Sequence, residues 1–291
     1  MKSFYKNILY ILVFITSVKQ YAQHHSQMIV AVDMDKKTLT IEQKIVLFNQ
    51  TEDSLTSIFL NDWNNAFSSK SSPLAKRFSD EFYRGFHLGN EEERGSTTNL
   101  IIRNPDKSIL FWERTDKNPD YIEIKLRDKL APNQKITLHL SYIEKIPSDK
   151  FTKYGYASDG GMNLKNWFLT PARQENNAFI NYSNNNLDDI ANAVSDFDIE
   201  IKVPKNLEVT SDLSSSLFSK TDDSSIYKLT GKNRTDFSLF IEPKSNFRSY
   251  KNSSIEVVTN LKSNKLDDIQ KAIVIDRITT FANDLIGKYP H

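Results

Sequence analysis

The chain has 291 residues, enough to bury a substantial core, and its 38 basic and 37 acidic side chains leave a formal net charge of +1. Neither sign forms a long run, which argues against electrostatic capture of nucleic acid or of an anionic membrane; Glu91–Glu93 is answered at once by Arg94 and reads as a solvated loop. There is no cysteine, which excludes disulfides, a thiol nucleophile and thiolate zinc sites.

Lys2 and Lys6 precede the apolar run Ile8–Ile15, which fades through Thr16 and Ser17. A basic start followed by roughly ten apolar residues is the pattern of a secretory signal, too short to span a ~30 Å hydrocarbon core comfortably. Residues 1–23 are therefore expected to be a signal peptide cleaved near Ala22 or Gln23. The remainder is expected in the periplasm or medium of a bacterial envelope, with no membrane span after cleavage.

Period-two alternation dominates the mature chain. Met28–Val32 forms one strand; Leu39, Ile41, Ile45 and Leu47, with Gln43 among them, share one face of a second; Leu55–Leu60 gives a third. A helix interrupts the series, with Ser72 as N-cap, Pro73 at the first position, Leu74, Phe78 and Phe82 on one face, and Gly85 and Gly89 ending it. Strands follow at 100–103, 109–112, 121–126 and 136–142. The stretch from Pro147 to Asp196 is irregular and rich in Asn and aromatics, a pattern common in interfaces and binding loops. Strands return at 197–203, 207–210, 226–229, 237–241 and 255–258. A last helix, capped by Asn264, runs to about Ile286 before Gly287 and Pro290. The organisation is a mainly β domain over 24–259 with one inserted helix, then a helix over 260–291 that opens something else.

No catalytic or metal motif is discernible. The five histidines lack metal-ligand spacing, and His-Glu-x-x-His, the Gly-x-Ser-x-Gly elbow and the phosphate loop are all missing. With Gln23 at a free amino terminus, His25 is placed to chelate copper, against the simpler reading of a disordered terminus. His139 alternates with Leu138 and Leu140 and reads as structural. Asp188, Asp189, Asp196 and Asp198 supply carboxylates for a glycosidase reading, although neighbouring side chains on a strand point apart. The richest stretch is 160–173. Its Asn163, Asn166, Trp167 and Arg173 are candidates for a substrate cleft or an interface, and an aromatic plug at the sheet's end explains the same residues.

From Ser195 onward the chain resembles the N-terminal part of an M1-type zinc aminopeptidase, a gluzincin. Ser195–Pro204 resembles that family's strand ending in proline before an Asn-containing turn. Phe237–Ile241 resembles the strand closing its β domain, and Gly287–Lys288–Tyr289–Pro290 resembles the Gly-x-Tyr-Pro passage that opens its catalytic domain. Trp167–Ala172 is similar to a Trp–aromatic stretch of some bacterial branches. The resemblance implies a large, twisted, saddle-like, multi-stranded β domain packed on a downstream catalytic domain, which would be the partner of 260–291. It implies zinc in the full-length form only, with no cofactor on this chain, and peptides as substrates. It also implies that Asn163 or Asn166 lends a polar group to the substrate amine, although the family's Arg-x-x-x-Pro-Cys run does not follow Arg173. Gly160–Asn163 copies part of the family's Gly-x-Met-Glu-Asn motif without its Glu. Catalytic and metal residues are none here, and the last helix is expected to leave its apolar arc, Val274 to Ile286, exposed. The alternative is a free-standing envelope module binding peptide or glycan through Asn166 and Trp167.

Overall fold

A computed structural model describes residues 23–115, 117–183, 190–261 and 265–289. The proposed signal peptide (save Gln23), the Asp188–Asp189 pair, and Asn264 and Pro290 as helix boundaries lie outside the described residues.

The chain is mainly β, as the alternation predicts. Strands β1 (His24–Asp33), β2 (Thr38–Phe48), β4 (Ser96–Arg103), β7 (Lys135–Lys145), β13 (Ser195–Pro204), β15 (Ser214–Lys220) and β16 (Ser224–Arg234) form one seven-stranded sheet. Its order is β15-β16-β13-β1-β2-β7-β4, antiparallel except for the central β1–β13 pair, where Met28 lies beside Ile199. A second sheet has the order β10-β3-β6-β5, from β3 (Leu55–Asn61), β5 (Trp112–Thr115), β6 (Asn118–Leu130) and β10 (Thr170–Pro171). A third has the order β14-β17-β9-β8, from β8 (Gly155–Tyr156), β9 (Met162–Leu164), β14 (Glu208–Ser211) and β17 (Leu239–Glu242). The irregular stretch therefore contains short strands that the period-two pattern is too brief to reveal, β11 (Gln174–Glu175) and β12 (Ala178–Phe179) among them.

The main core lies between the sheets. On β2 the predicted face, Leu39, Ile41, Gln43, Ile45 and Leu47, is buried throughout. It packs with Leu138 and Leu140 of β7, Ile199 and Ile201 of β13 and Ile122 and Ile124 of β6. A separate aromatic core gathers Trp63, Phe67, Phe78, Phe86 and Phe151. It is built on a 3-10 turn, Trp63–Phe67, and two helices, α1 (Pro73–Asp80) and α2 (Gly85–Leu88), where the sequence predicts one helix.

Helix α1 starts as predicted, with the Ser72 hydroxyl accepting the Ala75 N–H at 3.1 Å and Pro73 at the first position. Its end differs. Phe82 adopts φ 59° while Tyr83 N–H reaches Phe78 O at 2.8 Å and Phe82 N–H reaches Ser79 O at 2.9 Å. This is a Schellman stop with Phe in the position usually held by Gly, so Phe82 leaves the apolar face and is 92% exposed. Gly85 then begins α2 instead of ending α1.

The C-terminal part is a hairpin, β18 (Arg248–Lys251) and β19 (Glu256–Thr259), with helix α3 (Asp268–Ile286). Asp267 caps α3 in a reciprocal box with Gln270, and Gly287 at φ 92° ends it. Arg248 pairs with Asp268, and Asn252 Nδ2 donates to Asp276 and Thr279 at 3.0 and 3.1 Å. Ile275, Thr279 and Ala282 are half-buried. Ile278, Phe281 and Leu285 remain 61%, 68% and 70% exposed, and no residue of α3 is fully buried.

A buried polar seam as candidate functional site

The segment 163–173 is held against the main sheet by one out-of-pattern residue. Gln43 sits in the apolar row of β2 and donates through Nε2 to Ser26 Oγ and Leu169 O, both at 2.9 Å. Its Oε1 accepts from the Tyr142 hydroxyl at 2.6 Å, and that hydroxyl accepts the Leu169 N–H at 3.2 Å. All of the Gln43 amide's polar atoms thus have partners, which is what allows an amide in this core.

The four candidate residues divide. Trp167 is 2% exposed and makes edge contacts with Phe168 and Phe237 at 5.0 and 5.6 Å between ring centres. Asn166, at φ 50°, is buried; its Oδ1 accepts from Asn192 Nδ2 at 3.0 Å, and Asn192 Oδ1 in turn accepts from Asn61 and Thr170 at 2.8 and 2.6 Å. Asn163 is half-buried on β9 and donates to Lys153 O at 2.9 Å. These three line a cavity of about 20 Å³ with Trp63, Asn64 and Gly155. Gly155, at φ 137°, lies against the Pro147 carbonyl, where a Cβ would come within 2.1 Å. Arg173 is elsewhere, exposed on β11's approach, and pairs with Glu175 at 3.3 Å.

A space of this size holds about one water molecule, whereas small-molecule sites run to hundreds of Å³. A wider groove of about 550 Å³ lies between the β18–β19 hairpin and α3, beside Tyr250, Val257, Ala272 and Asp276.

Sequence reasoning missed the charged part of the seam. Behind Asn64, the carboxyl groups of Asp62 and Glu144 flank Thr97, whose Oγ1 lies 2.6 Å from Asp62 Oδ1 and 2.8 Å from Glu144 Oε2. Asn64 Nδ2 is 2.6 Å from the same Glu144 oxygen, and Arg114 pairs with Asp62. Burial pushes Glu144 well above the usual carboxylate range, reinforced by Asp62; it also raises Asp62, against the pull of Arg114. A signal was present: Glu144 continues the inward register of Leu138, Leu140 and Tyr142.

The histidines read differently in three dimensions. His24 is buried in β1 with Nδ1 accepting the Phe48 N–H at 3.2 Å, and His24 and His25 are paired to β13. Copper chelation there needs freed backbone amides, so the sheet overturns both the chelator and the disordered terminus. His139 lies on the open face of the main sheet. Asp196 accepts the Asn233 N–H at 3.0 Å, and Asp198 is exposed on the same open face, where it lines an open groove of about 370 Å³ with His139 and Glu200.

No family model and no curated protein matches the sequence. The fold does match solved structures. A two-domain M1 zinc metallopeptidase mutant bound to L-tryptophan aligns with a TM-score of 0.51 at 12% identity, over 92% of this chain and 55% of that one. The M1 zinc metallopeptidase from Deinococcus radiodurans aligns with a TM-score of 0.51 at 12% identity, over 92% and 54%. The fold is therefore that seen in the N-terminal region of M1 metallopeptidases, and the chain spans about half the length of the structures it matches. Those neighbours are zinc enzymes. Among the described residues here, no three His, Cys, Asp or Glu side chains converge in a way that fits a metal ion, so no chemical step is assigned to zinc on this chain.

Proposed function

We propose that this chain is the non-catalytic N-terminal β region of an exported zinc aminopeptidase, whose full-length form removes N-terminal residues from peptides. The observation that carries this reading is the state of α3. Its Ile278, Phe281 and Leu285 are spaced three and four residues apart and stand in solvent, on a fold otherwise shared with M1 enzymes. Such a face is costly to leave wet, and a downstream catalytic domain is the partner that the reading supplies. Zinc and the peptide-cleaving groups belong to that domain. The role of the β region is to build one wall of the substrate cleft, with the 163–167 segment buttressed behind it.

The test is the coding sequence and its product. The reading expects an in-frame continuation encoding His-Glu-x-x-His and a more distal Glu, and chelator-sensitive aminopeptidase activity in the envelope fraction. A stop codon after His291, with the native protein binding peptide or glycan on its own, overturns it in favour of a free-standing binding module.

A further inference from the structure

The Asp62–Thr97–Glu144 cluster poses a question of proton count that the proposed function does not touch. Thr97 has one hydroxyl proton, yet its Oγ1 lies within hydrogen-bond distance of a carboxyl oxygen on each side, at 2.6 and 2.8 Å. Two ionised carboxylates are acceptors only, so one contact would set lone pairs against lone pairs inside a buried site. A second proton resolves it.

The surroundings decide which carboxyl carries that proton. Asp62 is supplied with donors: Arg114 on Oδ2, and the Asn65 N–H at 3.3 Å on Oδ1. Glu144 has one amide donor, Asn64 Nδ2 at 2.6 Å. That amide's orientation is fixed, because the same nitrogen also faces the carbonyls of Lys145 and Ser96 at 3.0 and 3.3 Å. The amide has two protons for these three acceptors, and the shortest contact, to Glu144, takes one of them; with fewer donors than Asp62, Glu144 carries the extra proton on the oxygen facing Thr97. Donation then runs one way, from Glu144 to Thr97 to Asp62, and ends on the carboxylate that Arg114 neutralises. The other ionisable groups facing the cluster are Asp120 on β6, whose charge opposes ionisation of Asp62, and the Tyr142 phenol on β7, which burial and Glu144 hold protonated.

The chain runs alongside other polar contacts between the same parts of the fold, Asn64 Nδ2 on the Lys145 and Ser96 carbonyls and the Thr97 N–H on Asn65 Oδ1 at 3.2 Å, and it is the one among them that carries an exchangeable carboxyl proton. Asp62 caps the 3-10 turn that carries Trp63 and Phe67 into the aromatic core, while Thr97 and Glu144 sit on β4 and β7 of the main sheet. We propose that a carboxyl proton held on Glu144 at neutral pH latches the Trp63–Phe67 turn to the main sheet, and that its loss at alkaline pH releases the turn. A buried carboxylate pair that loses its shared proton gains like-charge repulsion and one pair of facing acceptors, both at the same joint.

The sign follows from linkage. The folded state holds a proton on Glu144 that the unfolded chain gives up near pH ~4.3. Its stabilisation is full at lower pH and is lost as pH rises through the folded-state value.

Carbon-13 NMR of the native protein labelled in glutamate carboxyl carbons reads the proton directly. Glu144 is expected to remain in its protonated position through neutral pH, while exposed glutamates titrate near pH ~4.3, and the Trp63 indole N–H resonance is expected to shift with the Glu144 midpoint. In parallel, Glu144→Gln cannot both accept from Asn64 and donate to Thr97 through one atom. The stability advantage of the wild type over this variant is therefore expected to shrink as pH rises from weakly acidic to alkaline. Titration of Glu144 together with the exposed glutamates, or a stability gap independent of pH, overturns the shared proton. A Trp63 resonance indifferent to the Glu144 titration overturns the latch. If Glu144→Gln does not fold, the carbon and indole signals of the wild type decide alone.

Discussion

Asn166 points its backbone N–H at both carboxylate oxygens of Asp236, 3.2 and 3.1 Å away, across 70 residues of sequence. The contact fixes the left-handed bend of Asn166 that turns Trp167 inward beneath Phe237. Burial nevertheless raises Asp236 to about 7, because the N–H donors of Phe237 and Asn166 only partly offset the loss of water.

A group held above its unfolded value stabilises at low pH and loses that contribution as pH rises through the folded value. Between the ordinary Asp range and about 7, Asp236 is therefore expected to cost the wild type stability with each step upward. Urea unfolding across this range, compared with Asp236→Asn, checks it: the variant should gain relative stability as pH rises and lie closest to or below the wild type at the acidic end.

His24 works in the opposite sense. Burial lowers it from 6.5 to about 4, and its Nδ1 must stay unprotonated to accept the Phe48 N–H. Its contribution is present above 6.5 and is lost as pH falls toward about 4. In His24→Asn the amide oxygen takes the place of Nδ1 and cannot titrate. Denaturation midpoints of the two proteins should diverge in favour of the variant as pH drops through that window.

Phe82 offers a conformational test. Its φ of 59° carries a penalty for a side chain with a Cβ, and at 92% exposure it has little packing to repay it. Phe82→Gly should stabilise the protein by ~0.5–1 kcal/mol, the relief of strain being partly offset by the entropy of glycine in the unfolded chain. A thermal midpoint that falls instead would mean that Phe82 makes contacts in solution that are missing from the described fold.

Much of the architecture was legible because burial repeats with period two over long strands. The β2 face, the Ser72 cap and the existence of most long strands follow from side-chain alternation and capping chemistry alone, but the strand ends do not: 121–126 was expected where β6 spans Asn118–Leu130, and 109–112 where β5 spans Trp112–Thr115. What escaped is set by distant partners. Asn264 was expected to cap the last helix, yet the reciprocal box belongs to Asp267 and Gln270, whose spacing is as plain in the sequence. Strand β15 has exposed Ser, Leu and Phe side chains on the sheet's edge, so no buried face marks it. The polar seam was half visible: Gln43 and Glu144 break apolar registers, but only the fold brings Leu169, Thr97 and Asp62 to them. Asn163, Asn166 and Trp167, neighbours in sequence, line one small cavity, and Arg173 turns away because Pro171 and Ala172 pair with β3 and its neighbours.

Residues 24–291, purified, should bind no stoichiometric zinc and release no amino acid from chromogenic amides. Catalytic zinc takes three protein ligands in a fixed constellation, and no such convergence of His, Cys, Asp or Glu exists among the described residues. Elemental analysis together with an assay before and after chelation checks this. One zinc per chain with chelator-sensitive turnover would require a site assembled from residues outside those described.

Helix α3 gives the sharpest test of the proposed partner. Val274, Ile278, Phe281 and Leu285 recur at steps of four, three and four, and all four are exposed, while Ile275 lines the groove beside the β18–β19 hairpin and Ala282 is half-buried. Fully burying four such side chains is worth on the order of 10 kcal/mol as an upper estimate. Replacing Phe281 or Leu285 by Ser in this chain removes little buried surface, so each should change unfolding stability by less than ~1 kcal/mol. Leu138→Ala, in the core, should cost ~2–5 kcal/mol in the same assay. In a longer protein that carries the downstream domain, the same helix substitutions should cost ~1.5–3 kcal/mol each, because there the face is covered. Equal and small effects in both settings would mean that α3 meets nothing, and the assignment of a catalytic domain as its partner would fall.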